Sequence, residues 1–149
     1  MTAAARPPHF NHVAMTLPAS ALDERGREEI TAFYGDVFGW TEVPSLTVDR
    51  ERLVLRVYEM GQFVYILGGD EHLSAPKSDH VGIQVETVEE LDGMLARARA
   101  WQERDPRVEI IDREVEDHTR VVLTSFYVRH LLPLMIEVQH YTMAAPASA

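Results

Sequence analysis

Two stretches decide the fold: Asn11-His12-Val13-Ala14-Met15-Thr16-Leu17 and, 68 residues later, Asp79-His80-Val81-Gly82-Ile83-Gln84-Val85. Both alternate. Val13, Met15 and Leu17 fall on one side of the first, with His12, Ala14 and Thr16 on the other. In the second, Val81, Ile83 and Val85 oppose His80, Gly82 and Gln84. A period of two over six or seven residues is the pattern of a half-buried strand. The small residues beside each histidine leave the polar face open.

A helix pattern comes after each of these strands, so the repeat extends beyond them. Ile30, Phe33, Tyr34, Val37 and Phe38 recur at helical spacing, and Gly39 supplies a stop. After the second strand, Thr87-Val88-Glu89-Glu90 reads as a capping box ahead of the stripe Leu91, Met94, Leu95, Ala98 and Trp101. Asp105-Pro106 closes that helix region. Three strand-like runs come next in each half: Thr41 to Val48, Leu53 to Tyr58 and Phe63 to Leu67 in the first, and Val108 to Val115, Arg120 to Tyr127 and Met135 to Tyr141 in the second. Glu116-Asp117 is expected to turn. The order is βαβββ twice, so the fold class is α+β, with two tandem modules forming a curved mixed sheet around a central cleft.

One domain is expected over residues 9–141, with module 1 at about 9–69, a Pro76-containing linker at about 70–78 and module 2 at about 79–141. Residues 1–8 and 142–149 are Ala- and Pro-rich and read as tails. At 149 residues the chain can bury roughly two-thirds of its extended surface, enough for a core without staples. It has no cysteine, which excludes disulfides, Cys-zinc sites, iron–sulfur clusters and a thiol nucleophile. The net charge of −10 disfavours nucleic acid and anionic membrane as partners. No apolar run is long enough to span a bilayer, and Met1 to Pro8 has no signal-peptide pattern, so a cytoplasmic setting is expected.

Any metal chemistry must then use imidazole and carboxylate. Equivalent strand starts bring His12 and His80 to face each other across the sheet. In the last strand Glu137, Gln139 and Tyr141 share a face opposite Ile136 and Val138. An ionised carboxylate in such a strand is costly unless paired or metal-bound. Two imidazoles and a carboxylate form a three-ligand set that suits a divalent ion such as Fe, Mn, Zn, Ni or Co and leaves open positions. Without a metal, Glu137 would pair with Arg56 or Arg120, or sit partly solvated. The acidic segments Asp23 to Glu29 and Glu86 to Glu90 read as solvated helix faces and first turns. His9, His72, His130 and His140 carry no motif and read as exposed or structural.

The residues FNHVAMTLP, FYGDVFGW, DHVGIQVET with EELDGML, and FYVR with MIEVQ resemble the vicinal oxygen chelate superfamily over roughly residues 9–141. That group spans glyoxalase I, extradiol dioxygenases, fosfomycin-modifying enzymes and bleomycin-binding proteins. The resemblance implies the glyoxalase/bleomycin resistance/dioxygenase fold, a small-molecule substrate, a homodimer, and His12, His80 and Glu137 as metal ligands. Glyoxalase I-like members use a further ligand where Tyr65 stands here, which argues against that activity. A partial similarity to extradiol dioxygenases implies His118 and Tyr127 as catalytic residues assisting proton transfer. Nine residues separate them, so strict alternation puts them on opposite faces and a bulge or a position at the strand end is required to join them. The alternative is a metal-free sequestering protein of the bleomycin-resistance kind, with a cleft walled by Tyr34, Trp40, Tyr58, Phe63, Tyr65 and Phe126. The apolar run Leu131 to Met135 is expected to be covered, by its own core, over the cleft or at a dimer interface.

Overall fold

A computed structural model describes residues 7–59 and 61–143. The first repeat strand forms β1 (His12–Leu17), and Met15 and Leu17 are buried while His12 and Ala14 are open, as the alternation requires. A short 3-10 turn leads into α1 (Glu24–Phe38). The Asp23 carboxylate accepts from the Gly26 amide at 2.8 Å, satisfying one of the first-turn N–H groups. Gly39 ends the helix with φ of 74°, a left-handed conformation that glycine adopts without Cβ strain. Ile30, Phe33, Tyr34 and Val37 are its buried stripe.

Module 1 continues with β2 (Thr41–Glu42), β3 (Arg52–Tyr58) and β4 (Gln62–Gly68). The strand expected over Thr41 to Val48 is therefore much shorter. Pro44 has no N–H for the ladder, and the chain leaves the sheet in a 3-10 turn over Pro44–Leu46. Module 2 comprises β5 (His80–Gln84), α2 (Val88–Arg104), β6 (Glu109–Asp117), β7 (Val121–Arg129) and β8 (Met135–Met143). Thr87 caps α2 by accepting from the Glu90 amide at 3.1 Å, but Glu90 reaches back to the Glu86 amide rather than to that of Thr87. The expected turn at Glu116-Asp117 lies further on. Asp117 is the end of β6, its carboxylate accepts from the Thr119 amide at 2.8 Å, and Thr119 takes a positive φ of 68°. β8 also runs to Met143, so Thr142 and Met143 belong to the sheet rather than to a tail. Residues 1–6 and 144–149 of the expected tails lie outside the described residues.

The strands form two four-stranded mixed sheets, ordered β1-β4-β3-β2 and β5-β8-β7-β6. In each, the repeat strand lies at one edge and runs parallel to the last strand of its own module, while the other pairs are antiparallel. The same relation twice confirms the α+β double module. One apolar cluster runs through both, from Met15, Phe33 and Ile66 to Leu95, Phe126 and Ile136.

The modules are tied by polar contacts between α1 and the second half. The Arg97 guanidinium donates to the Val37 carbonyl at 2.8 Å, occupying an acceptor that the last turn of α1 leaves free. The Trp101 indole N–H donates to Asp36 at 2.7 Å. Leu132 and Met135 are buried, and Leu131 and Leu134 pack against the cluster, so the apolar run is covered by its own core. Among the described residues no helix is long and apolar enough to cross a membrane.

Candidate metal and substrate site

Strand register places the polar groups. In the second sheet Tyr127 on β7 stands directly opposite Glu137 on β8, which in turn faces Gly82 on β5. Directly opposed residues share a face, so the phenol, the carboxylate and the open side of β5 meet on one surface. The Tyr127 hydroxyl donates to Glu137 Oε1 at 2.7 Å. The other carboxylate oxygen, Oε2, lies 3.1 Å from His80 Nε2. The His80 and Tyr127 rings sit edge to face, 5.3 Å between centroids.

Glu137 is only 4% exposed. It pairs with Tyr127 and His80 rather than with Arg56 or Arg120, the partners expected in the absence of metal. Arg56 instead donates to Thr41 on the neighbouring strand. Burial, together with the adjacent carboxylate, pushes the Tyr127 phenol up to about 12, which keeps it a hydrogen-bond donor at neutral pH. His80 Nδ1 lies 2.9 Å from the Ser78 carbonyl. A carbonyl only accepts, so Nδ1 carries the proton. Nε2 of a neutral ring then turns its lone pair toward a carboxylate oxygen. Two acceptors at 3.1 Å need a positive centre between them, either a proton or a cation.

On the first sheet, His12 stands opposite Phe63, and Ala14 opposite Tyr65. The His12 and Tyr65 rings meet edge to face at 5.2 Å, and His12 Nδ1 lies 2.7 Å from Asn11 Oδ1. His12 and His80 line the same cleft, of about 570 Å³, whose walls include Phe10, Trp40, Val57 and Phe63. Yet among the described residues no three His, Asp or Glu side chains converge closely enough to hold a metal ion. His12 is on an edge strand of one sheet, and no backbone ladder joins that sheet to the one carrying His80 and Glu137. The donor chemistry of His80 and Glu137 fits two adjacent ligands of a divalent ion, and within one chain the third is not gathered to them.

His118 stands apart. It is in the β6–β7 turn, exposed, with Nε2 3.0 Å from Glu116 Oε2. It abuts Val121, which is six residues from Tyr127 along β7, or ~20 Å at ~3.3 Å per residue. The sheet irregularity is in β6, between Ile111 and Glu114, so no bulge in β7 folds His118 back.

The aromatic wall also differs from expectation. Tyr34 and Phe126 are fully buried in the core, and Tyr58 is largely exposed. Trp40 and Phe63 do line the cleft. Of the remaining histidines, His9 and His72 are exposed, while His130 is buried against Phe33 and bonded through Nε2 to Asp105 at 2.8 Å. His130 is thus a structural residue, one for which the sequence alone held no signal.

No protein-family profile and no curated protein sequence matches the chain. Solved structures do. Similar ones include a lactoylglutathione lyase from Agrobacterium tumefaciens, 18% identical over 91% of this chain and 95% of that one, with a TM-score of 0.62. A genomically encoded fosfomycin resistance protein, FosX, from Listeria monocytogenes is 19% identical over 90% and 93%, with a TM-score of 0.60. A glyoxalase/bleomycin resistance protein from Albidiferax ferrireducens T118 is 16% identical over 88% and 98%, with a TM-score of 0.61. Two βαβββ modules, each with its repeat strand parallel to its last strand, and these full-length structural matches together give the chain the fold of the vicinal oxygen chelate superfamily.

Proposed function

We propose that this protein is a metal-dependent enzyme acting on a small, oxygen-rich substrate held through two vicinal oxygens, with His12, His80 and Glu137 as protein ligands. The observation that carries this reading is the buried Glu137 carboxylate with Oε2 3.1 Å from His80 Nε2. A buried carboxylate facing an imidazole nitrogen at that distance calls for a cation or a proton between the two. A divalent ion, with Fe, Mn, Zn, Ni and Co all compatible with one carboxylate and two imidazoles, would polarise the substrate oxygens as a Lewis acid.

The chain's own residues do the remaining work. The Ser78 carbonyl fixes the His80 tautomer and ring orientation. The apolar cleft walls offer a surface for the substrate body. Gly82 leaves the approach to the carboxylate open, because a Cβ there would lie 3.8 Å from Glu137 Oε2.

A homodimer belongs to this reading. His12 is exposed on one sheet and His80 is accessible on the other, so the His12 face of one copy is free to approach the His80–Glu137 face of another. The extradiol dioxygenase-like version uses Fe(II) and a catechol.

The test is elemental analysis of protein purified without chelator. About one divalent ion per chain, lost in His80→Ala and in Glu137→Ala, supports the assignment. Retention of metal in both variants sinks it. A metal-free protein that binds an aromatic compound tightly without turnover replaces it with the sequestering function. Anaerobic Fe(II) loading followed by catechols and oxygen gives a yellow ring-cleavage product only if the dioxygenase version holds.

A further inference from the structure

The two oxygens of Glu137 are not equivalent. Oε1 accepts the Tyr127 hydroxyl at 2.7 Å, while Oε2 faces His80 Nε2. The difference is built into the sheet. Tyr127 and Glu137 are cross-strand partners, so their side chains rise from directly opposed backbone positions and the phenol reaches the carboxylate from one side only. On the other side the partner position is Gly82, which places no side chain beside Oε2. Glu137 is buried, so water does not compete freely for Oε1. A neutral–charged hydrogen bond of this length is among the stronger ones.

We infer that Tyr127 is a positioning residue that holds Glu137 to ligation through Oε2 alone, leaving the adjacent coordination position for the second oxygen of a chelating substrate. The inference rests on the reading of His80 and Glu137 as metal ligands. A carboxylate freed from the phenol can turn both oxygens to one ion, as carboxylates do when unrestrained. That would fill the position a two-oxygen substrate needs. Tyr127 therefore sets the kind of molecule the site takes: a five-membered chelator with two neighbouring oxygens rather than a single-oxygen ligand.

The experiment uses the full chain loaded with Co(II), whose visible absorption weakens as coordination number rises, and acetohydroxamic acid as a two-oxygen probe. In Tyr127→Phe the Co(II) band weakens, and the hydroxamate binds on the order of 10-fold more weakly, in the range usual for loss of an outer hydrogen-bond partner. In Glu137→Gln the amide offers one carbonyl oxygen, so adding Tyr127→Phe to that variant changes neither the band nor the hydroxamate affinity. A Tyr127→Phe protein with the wild-type band and wild-type hydroxamate affinity overturns the inference while leaving the metal site intact. Equal effects of Tyr127→Phe in the wild-type and Glu137→Gln backgrounds also overturn it. Wild-type protein that binds no Co(II), or binds it equally well as Glu137→Ala, overturns both this inference and the reading beneath it.

Discussion

The Tyr34 phenol, in the middle of α1, donates to the carbonyl of His130 and accepts from its backbone amide, both at 3.2 Å. These residues are in different modules, and both are buried to about 1% exposure or less. One hydroxyl thus satisfies a buried donor and a buried acceptor at the end of β7, where the ladder has stopped. Burial pushes the phenol well above its usual range, so it remains protonated and can serve both roles.

Tyr34→Phe leaves the His130 amide and carbonyl without a partner in the core. The expected cost is about 1–3 kcal/mol, the penalty of a buried unsatisfied polar group. A urea denaturation midpoint that falls accordingly, with unchanged slope, confirms it. A variant as stable as the parent shows that water reaches the seam.

Acid lability should trace to the same region. The Arg107 guanidinium holds the Asp105 carboxyl well below the usual carboxylate range, against opposing desolvation, with His130 adding to the effect. A depressed folded-state value contributes stability that is complete above the unfolded value of ~3.9 and is lost as pH falls below it. Arg107→Ala should therefore be less stable than the parent near neutrality, and the gap should narrow as pH falls below ~3.9. Denaturation midpoints taken from neutral to strongly acidic pH read this directly. Glu29 moves in the same sense, because Arg107 is one of the groups that lower it, second among the side chains to Arg25.

Mixing variants distinguishes a site within one chain from one shared between two. His12→Ala and Glu137→Ala each remove a proposed ligand. If the sites form between copies, a refolded mixture of the two recovers metal, because a heterodimer contains one site with all its ligands. Equimolar mixing should restore about a quarter of the wild-type metal content, from half the dimers having one of two sites intact. No recovery from a mixture shown to exchange subunits places all three ligands in one chain.

His118→Ala should leave both stability and Co(II) affinity nearly unchanged, with stability within ~0.5 kcal/mol as for surface positions lacking a special role. Its imidazole is exposed and, among the described residues, bonded only to Glu116 two residues away. His80→Ala in the same titration should abolish binding. A His118→Ala protein with markedly weaker binding would show that a second copy brings the turn to the site.

The helix stripes, the Gly39 stop and the edges of β4 were legible because each depends on neighbours within a few residues. The strand-like run Thr41 to Val48 stops after Glu42 because Pro44 lacks the N–H the ladder needs. Glu116-Asp117 has turn chemistry, but Asp117 ends β6 and caps a turn around Thr119 from the end of the strand. His118 lies in that turn, beyond the end of β6 and far along the sheet from Tyr127. Phe126 and Tyr34 illustrate the same limit. Their aromatic character is plain in the sequence, but whether they face a cleft or a core depends on what the opposite sheet and helix present.

The double βαβββ order, the α+β class and the open faces carrying His12 and His80 follow from the sequence by itself. Alternation and helical spacing are consequences of backbone geometry that the chain carries locally. The pairing of Tyr127 with Glu137, the approach of His80 to one carboxylate oxygen, the separation of His12 from both and the burial of His130 against Asp105 were decided only by tertiary structure. Such contacts depend on register and on how two sheets meet, and a shift of one residue in either would turn each of these side chains to another face.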